Sequence, residues 1–298
     1  MYREPSFSPN GDLIAYTAVV GNKSSICVVK SDGKEKKRIT HDTSGSNPVW
    51  SRDGKYLAFL SFRDECGKMS LCITDFAKER TLVEAEIGKI FANPFGTRNR
   101  IAWNPDKKSI VCAAGRRDRT DLLLVGIKKD AEWLTNDKDF KLNPTFSPDG
   151  KKLAYESAKT VSEQGFFWPY VNILDLDTGR IYQLTGDRRF SMAPSWRPDS
   201  SSIAFMIRKP GPSNSRMWIA DENDSSMKQL SEDAQFEGGP IIWHPIENRI
   251  LYHSVEGGIN IWEFDQTSRK KQRLTNNDGR FYTFYSYSPD GTKIVYCS

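Results

Sequence analysis

An aromatic residue followed seven positions later by an aliphatic residue recurs along the whole chain. A short polar turn of the type Ser-Pro-Asp-Gly stands between the two, so each copy is predicted to be a β-hairpin. The seven pairs are Phe7/Ile14, Trp50/Leu57, Trp103/Ile110, Phe146/Leu153, Trp196/Ile203, Trp243/Ile250 and Tyr287/Ile294. Successive aromatics lie 43, 53, 43, 50, 47 and 44 residues apart. A period in the forties built from short strands predicts a β-propeller.

The fourth copy shows how the hairpin arises. The first strand, which we call strand A, ends after Phe146, and Pro148 and Asp149 occupy the corner of the turn. Gly150 supplies the positive φ that closes the turn, and strand B leaves through Leu153. A proline two residues before the aromatic is expected to open strand A, where its missing N–H is tolerated. These prolines are Pro5, Pro48, Pro144 and Pro194.

Two further strands follow each hairpin. Strand C is a short β-rich run that an aspartate often closes, as at Asp75, Asp175, Asp221 and Asp265. Strand D is marked by a leucine–threonine pair or a close variant, as at 39–40, 134–135, 184–185, 230–231 and 274–275. The pattern therefore predicts four-stranded antiparallel blades. Blade two lacks a clear pair of this kind, and residues 84–100 are expected to form its exit loop.

The repeating string is specific enough to suggest a family. It reads aromatic-Ser-Pro-Asp-Gly-Lys-x-(Ile/Leu)-Ala-aromatic, then Ile-x-x-x-Asp and Leu-Thr, and residues 146–155 and 50–59 match it best. This string resembles the TolB-type propeller repeat, and the resemblance covers essentially the whole chain. It implies a β-propeller fold. Propellers of this repeat class act as protein-interaction platforms, form lyases or cap peptidases.

The number of blades follows from counting copies. Six copies are complete, whereas the seventh, residues 287–298, has only strands A and B. We therefore expect an all-β propeller with seven blade positions, the last incomplete, and a six-bladed propeller is the alternative. Because repeated blades pack against one another, residues 1–298 are expected to form a single domain.

Composition narrows the environment and the class of partner. The net charge of +5, from 43 basic and 38 acidic residues, is too small an imbalance to predict nucleic-acid binding. No apolar run approaches the roughly 20 residues of a membrane span, so no membrane insertion is expected. No signal peptide is visible, which favours the cytoplasm, or the periplasm or export if the N-terminus is truncated or processed. The five cysteines are expected to be buried thiols.

Candidate binding residues lie in the loops between strands B and C and between strands D and A, because these loops vary while the A–B turns do not. The blade-four loop at 156–170 and the blade-three loop at 115–119 are rich in aromatic residues and arginine. Aromatic residues and arginine are typical of protein-binding hot spots, and arginine also suits a carboxylate or phosphate. The predicted binding residues are Phe166, Trp168, Arg116, Arg117, Arg188, Arg189 and Arg280.

Each of these residues also has a structural interpretation. Phe140, Phe190 and Phe281 lie six residues before the strand A aromatic, so their recurrence favours a structural role. Phe166 and Trp168 do not recur, and they either bind a partner or cover a neighbouring blade. Arginine runs of this kind more often form a solvated surface than a binding site.

Two functions remain from the sequence. The first is a non-catalytic binding module for a protein or peptide, or alternatively for an anionic small ligand. The second is a lyase or hydrolase that acts on an anionic carbohydrate or peptide at the central channel, with Arg188, Arg189, Arg280 and His41 as candidates. The sequence has none of the common catalytic motifs, and its three histidines are far apart, so no catalytic residue, metal site or cofactor is predicted.

Overall fold

All regular elements in the described part of the protein are β-strands. The computed structural model describes residues 1–41, 44–63, 68–88, 101–105, 108–116, 119–128, 130–160, 167–186, 190–208, 215–221, 226–230, 239–254, 258–276 and 282–297. Within these ranges the strands form six sheets of four strands and one sheet of two. Every pair of neighbouring strands is antiparallel, as hairpins joined by short turns require.

We name the strands in chain order. Blade one has β1 (Tyr2–Phe7), β2 (Leu13–Val20), β3 (Lys23–Lys30) and β4 (Lys37–Arg38). Blade two has β5 (Ser44–Trp50), β6 (Tyr56–Arg63), β7 (Lys68–Asp75) and β8 (Arg80–Gly88). Blade three has β9 (Ile101–Trp103), β10 (Ser109–Arg116), β11 (Arg119–Gly126) and β12 (Glu132–Trp133).

The later blades repeat the same order. Blade four has β13 (Phe140–Phe146), β14 (Lys152–Thr160), β15 (Phe167–Asp175) and β16 (Ile181–Gln183). Blade five has β17 (Phe190–Trp196), β18 (Ser202–Arg208), β19 (Ser215–Asp221) and β20 (Met227–Gln229). Blade six has β21 (Ile242–Trp243), β22 (Arg249–Ser254), β23 (Asn260–Asp265) and β24 (Lys271–Arg273). The seventh sheet has β25 (Thr283–Tyr287) and β26 (Ile294–Cys297).

The predicted fold class is confirmed: the chain is an all-β propeller of four-stranded antiparallel blades. The described residues contain six complete blades and an incomplete seventh sheet, which supports the six-bladed alternative. Contacts divide the chain into two compact units, one of Met1–Phe91, Arg100–Asn136 and Thr283–Ser298 and the other of Ala92–Asn99 and Asp137–Tyr282. That residues 1–298 form a single domain stays a prediction.

The apolar core lies between neighbouring blades. In the first unit one cluster joins blades one and two through Ile26, Trp50 and Leu57, and another joins blades two and three. In the second unit Trp196 packs between blades four and five, and Trp243 packs between blades five and six. Within each unit, neighbouring blades thus bury their faces against one another, as a fold of repeated sheets must.

Strand A contains an unexpected feature, a β-bulge three residues before its aromatic. The residue at the bulge has a positive φ in five strands: Glu4 (56°), Asn47 (57°), Asn143 (49°), Ala193 (55°) and Phe284 (53°). The pairing register with strand B shifts at each of these points. The prediction that the prolines open strand A is therefore wrong. They lie inside the strand, directly after the bulge. Because the bulge interrupts the ladder of backbone hydrogen bonds at this point, no ladder bond requires the N–H that proline lacks.

A hydrogen bond from the strand A tryptophan of one blade reaches strand A of the preceding blade. An indole N–H donates to the carbonyl of the residue before the preceding blade's aromatic, at 3.2 Å from Trp50 to Ser6 and 3.1 Å from Trp103 to Val49. The same bond recurs in the second unit, at 3.2 Å from Trp196 to Thr145 and 2.9 Å from Trp243 to Ser195. This bond explains why tryptophan dominates the repeating aromatic position.

Buried carboxylates make the reciprocal bond. Glu4 Oε2 accepts the backbone N–H of Asn47 at 2.8 Å, and the hydroxyl of Thr17 donates to the same oxygen at 2.7 Å. Glu156 Oε1 accepts the backbone N–H of Ala193 at 2.8 Å. In both cases the acceptor belongs to one blade and the donor is the bulge residue of the next. A buried amide at a bulge needs such a partner, because an unmade bond there costs free energy.

The threonine of the leucine–threonine pair binds strand C through its hydroxyl group. Its Oγ1 accepts the backbone N–H of the strand C residue thirteen or fourteen positions earlier in the chain. The bonds are Ile26 to Thr40 at 3.0 Å, Leu122 to Thr135 at 2.9 Å, Val171 to Thr185 at 2.9 Å and Ile261 to Thr275 at 3.0 Å. The threonine hydroxyl thus accepts a hydrogen bond from a strand C backbone amide that lies beyond the end of the short strand D.

Blade two departs from the sequence prediction. Residues 84–88, expected to belong to the exit loop, form the end of the nine-residue strand β8. Val83, Ala85 and Ile87 alternate along this strand and pack on the core cluster shared with blade three. This period of two was visible in the sequence, but the missing leucine–threonine pair obscured it.

Other expectations concern the cysteines and the membrane. The four described cysteines, Cys27, Cys72, Cys112 and Cys297, are all buried, as predicted for thiols in apolar positions. Burial raises the pKa of the Cys112 thiol to about 12. Cys66 lies outside the described residues. In the described ranges we find no helix that is both long and apolar enough to span a bilayer.

We expect Thr185→Val to destabilise the protein by about 1–3 kcal/mol. Thr185 is fully buried, and valine keeps its shape while removing the acceptor for the Val171 N–H. Urea unfolding measures the change. The matched control is Thr81→Val on the exposed surface of β8, which should alter stability by less than about 0.5 kcal/mol. Equal unfolding midpoints for the two variants would contradict the assignment.

Candidate functional site

The strongest candidate site lies where β14 ends and β15 begins in blade four. These strands pair as far as Lys159 opposite Trp168 and Thr160 opposite Phe167. The expected loop at 156–170 is therefore too long, and Trp168 lies on a strand. Pro169 also lies on this strand, opposite Ala158, at a level that the outer strand β16 does not reach. Its missing N–H consequently costs no ladder bond on the outer side.

Trp168 is placed by the neighbouring blade. Its ring meets the ring of Phe190 edge-on, with centroids 6.0 Å apart and an angle of 79° between the planes. Phe190 is buried at the start of β17, whereas Trp168 is 41% exposed. Arg208 pairs with Phe190 across strands β17 and β18, and its guanidinium carbon lies 5.6 Å from the Phe190 centroid. The result is an exposed indole held on a buried ring beside a cation.

A polar network holds the strand beneath Trp168. The hydroxyl of Tyr170 donates a hydrogen bond to Asp139 Oδ2, and the ammonium of Lys159 lies 5.6 Å from the Tyr170 ring centroid. Lys141, whose side chain is fully buried, donates to the Asp139 carbonyl at 2.8 Å and to Asp137 Oδ1. Burial, and then the bond to Asp139, raise the pKa of Tyr170 above its ordinary value. The tyrosine therefore stays protonated and donating.

The charges at this end of blades four and five are unevenly placed. The carboxylates of Asp137 and Asp139 are engaged by Lys141 and Tyr170. Lys159 and Arg208, in contrast, are exposed on either side of the Trp168–Phe190 pair. An approaching partner thus meets an aromatic surface flanked by positive charge. We call Trp168, Phe190, Arg208, Lys159 and Tyr170 the blade-four cluster.

Arg116, the other predicted binding residue that the structure describes, has intramolecular partners. Its guanidinium carbon lies 4.9 Å from the Trp133 centroid, and its Nη1 donates to Asn136 Oδ1 at 3.2 Å. Arg119 Nε donates to the buried Asp121 carboxylate at 3.2 Å, and Arg116 Nη1 lies 3.8 Å from the same oxygen. Asp121 therefore offsets part of the positive charge at this end of blade three, and fewer arginine donors face an outside anion.

The structure describes only two of the predicted binding residues, Trp168 and Arg116. Trp168 lies in the second unit and Arg116 in the first, and each has been described within its own unit. The remaining predicted residues, Phe166, Arg117, Arg188, Arg189 and Arg280, lie outside the described residues. The blade-three loop is also shorter than expected, because β10 runs to Arg116 and β11 starts at Arg119.

The three histidines serve different local purposes. His41 is exposed beside β4, and its carbonyl accepts a bond from Arg38 at 3.3 Å. His244 stands where other A–B turns have serine, and its Nδ1 accepts the backbone N–H groups of Ile246 at 3.2 Å and Glu247 at 2.8 Å. His253 is buried at the end of β22. The described residues include no group of three or more His, Cys, Asp or Glu placed to hold a metal ion.

The predicted list of binding residues omitted Lys159, Arg208 and Tyr170. Lys159 and Tyr170 lie within the expected blade-four loop, where strands B and C in fact continue to pair. Phe190 was assigned a structural role, and its buried position agrees with that. Its contact with Trp168 links this structural residue to the exposed one.

Comparison with known proteins points to one family. Residues 167–298 match the family model PD40, described as the TolB beta propeller domain. A TolB homolog from Chlorobium chlorochromatii is 29% identical over 150 residues, which are 50% of this chain and 32% of that protein. Dipeptidyl-peptidase 5 from Porphyromonas endodontalis is 22% identical over 98% of this chain and 36% of that protein. The chain thus spans about a third of the length of these curated relatives.

A solved structure supports the fold over the whole chain. An oligogalacturonate lyase in complex with manganese has a TM-score of 0.76 and 13% identity, covering 100% of this chain and 86% of that one. At this identity the likeness shows the fold alone. The repeat, the four-stranded blades, the family-model match over residues 167–298 and the TolB homolog together show that this chain is similar to TolB-like β-propellers.

Proposed function

We propose that the chain is a non-catalytic binding module that captures a protein or peptide at the blade-four cluster. The observation that carries this proposal is Trp168, an indole that is 41% exposed and yet held edge-on by a buried phenylalanine. A large aromatic side chain that is already ordered loses little entropy on binding. Tryptophan and arginine are also the residues that most often dominate binding energy.

The charge of the cluster narrows the partner. Lys159 and Arg208 are exposed near the aromatic pair, while the nearby carboxylates of Asp137 and Asp139 are engaged within blade four. An apolar or aromatic side chain placed on Trp168, with an acidic group beside it, would therefore complement this surface. Acidic peptides with an apolar anchor are the partners that we expect.

The rigidity of the frame supports binding at this point. The Glu156 carboxylate joins blade four to the bulge of blade five, and the Trp196 indole joins blade five back to Thr145 of blade four. The cluster thus lies at the end of a junction held by two buried polar bonds. A rigid frame with irregular connections is where binding residues are usually found.

The enzymatic alternative rests on other residues. Three of its candidates, Arg188, Arg189 and Arg280, lie outside the described residues, and the fourth, His41, is exposed near β4. The similar lyase and peptidase share the propeller, and their activities belong to those proteins. No contact among the described residues favours a catalytic reaction over binding. We therefore keep the proposal that the chain captures a protein or peptide.

Peptides selected from a display library on the immobilised chain provide the test of Trp168. We expect Trp168→Ala to lower the affinity for the selected peptides by about 30-fold, which corresponds to about 2 kcal/mol for a hot-spot residue. Thermal stability should change little, because the exposed indole contributes mainly one edge contact. The matched control is Ile181→Ala, a residue of blade four that is 42% exposed and lies on the outer strand. Equal affinities for both variants, or a large loss of melting temperature with binding intact, would refute the proposal.

The polar network under Trp168 predicts a dependence on alkaline pH. The pKa of Tyr170 is raised above 10.0, so the folded state holds the phenolic proton more tightly than the unfolded chain. This stabilisation is complete below pH 10 and is lost as the pH rises further. Between about pH 8 and pH 11 the wild type should therefore lose more stability than Tyr170→Phe in urea unfolding. Tyr296→Phe, on an exposed residue, should follow the wild type, and parallel behaviour of all three proteins would contradict the assignment.

A further inference from the structure

A cleft lies between the outer parts of blades one and two. The outer strand of blade one, β4, is only two residues long, whereas the outer strand of blade two, β8, has nine residues. The short strand therefore leaves part of the facing surface of blade two uncovered. The space between the two blades has a volume of about 280 Å³. Its described lining residues all fall between positions 37 and 84, within the first unit.

The floor of the cleft is buried and largely apolar. Phe59 and Cys72 line it and belong to the core cluster that blades one and two share. Ile39 and Phe76 also line it and pack against the same cluster. Thr74, on the same strand as Cys72, is a further buried lining residue. A ligand in the cleft would thus place an apolar group on the edge of the core, as is usual for small-molecule sites.

The charges of the two walls are sorted by blade. Lys37 and Arg38 line the side of blade one, and Glu79 and Glu84 line the side of blade two. The Lys37 ammonium and the Glu79 carboxylate form an ion pair that joins the two walls. A neutral ligand gains little from walls of opposite charge. A ligand with one negative and one positive group is attracted by both walls.

Arg38 is oriented by its own backbone segment. Its Nε donates to the Thr40 carbonyl at 2.6 Å, and its Nη2 donates to the His41 carbonyl at 3.3 Å. These bonds use two of the five guanidinium N–H donors, so the guanidinium is held in place and keeps donors for a carboxylate. A side chain that is ordered before binding loses less entropy when a ligand arrives.

The volume of the cleft limits the size of the ligand. A water molecule occupies roughly 30 Å³ in the liquid, so the cleft holds roughly nine groups of that size. A free α-amino acid with a branched aliphatic side chain has about this number of non-hydrogen atoms. It also carries the three features that the cleft complements, which are a carboxylate, an ammonium group and an apolar end.

We propose that the cleft between β4 and β8 binds a free α-amino acid with an apolar side chain. The carboxylate of the ligand meets Arg38, its ammonium group meets Glu84, and its side chain lies on Phe59. The Lys37–Glu79 ion pair borders the site and keeps the two walls together. This site shares no residue with the blade-four cluster and does not depend on the proposed capture of a peptide.

L-Leucine serves as the probe. Titration of the full chain with L-leucine in a calorimeter should show saturable binding with a Kd below about 1 mM. Isocaproate lacks the ammonium group of leucine, and isoamylamine lacks its carboxylate. Each analogue should bind at least about ten-fold more weakly than L-leucine, because each leaves one charged wall without a partner.

Two arginine variants test the blade-one wall. Arg38→Gln should lower the affinity for L-leucine by about ten-fold, because glutamine cannot pair with the carboxylate as an ion. The matched control is Arg273→Gln. Arg273 ends β24 two residues before Thr275, as Arg38 ends β4 two residues before Thr40. The control variant should bind L-leucine as the wild type does.

Two glutamate variants test the blade-two wall, and a larger side chain tests the floor. Glu84→Gln should lower the affinity by about five-fold, whereas Glu86→Gln, on the same strand but outside the described lining, should not change it. Thr74→Leu should abolish binding, because the larger side chain fills part of the cleft. Urea unfolding checks that Thr74→Leu is folded, and the exposed Arg38 and Glu84 test the site independently of that result.

Several results would overturn the proposal. They are the absence of saturable L-leucine binding below about 1 mM, equal affinities for L-leucine and both analogues, and equal losses in Arg38→Gln and Arg273→Gln. Binding of D-glucose in place of L-leucine would also overturn it, because a neutral sugar would then be the occupant. Trp168→Ala should leave L-leucine binding intact. Failure of L-leucine to bind therefore leaves the proposed function standing, and loss of peptide capture leaves the cleft proposal standing.

Discussion

The structure depends on hydrogen bonds that cross from blade to blade at the bulge of strand A. The bulge removes its residue from the ladder, and the proline that follows has no N–H. The bulge amide must therefore find a partner elsewhere. At the junction of blades one and two Glu4 accepts the amide of Asn47, and the Trp50 indole donates to Ser6. Glu156 and Trp196 make the same two bonds between blades four and five.

These reciprocal bonds explain more than stability. A sheet that merely packed its apolar face on a neighbour could slide, because apolar contact has no direction. A buried indole and a buried carboxylate, each aimed at one backbone atom, set the position of one blade relative to the next. At these two junctions the indole belongs to the following blade and the carboxylate to the preceding one, so both blades contribute a side chain to the junction. At the blade-four cluster, which lies at one of these junctions, Trp168 meets Phe190 of the next blade edge-on.

The sequence predicted the parts that repeat. Aromatic–aliphatic spacing located every hairpin, and the leucine–threonine pair marked outer strands whose hydroxyl bonds the structure then explains. The bulge escaped prediction because its residues, among them Glu4, Asn47 and Ala193, have no common chemistry. The hydrogen bonds from buried carboxylates to the bulge amides also escaped prediction. Glu4 lies on the first strand of its blade and Glu156 on the second, so no fixed sequence spacing connects the two residues. Boundaries of the blade-four loop failed for a simpler reason: strands β14 and β15 continue pairing past the sheet's outer strand.

The same repeat also governs where the protein can meet other molecules. Complete blades end in outer strands that are mostly two or three residues long, and most of these strands carry lysine, arginine or glutamate. Such edges are poor templates for another strand. On the complete blades, an exposed aromatic side chain such as Trp168 lies instead near a strand end. The repeat thus fixes the outer edges of the complete blades and leaves their strand ends to vary, because the short charged outer strand recurs whereas the lengths of strands B and C do not.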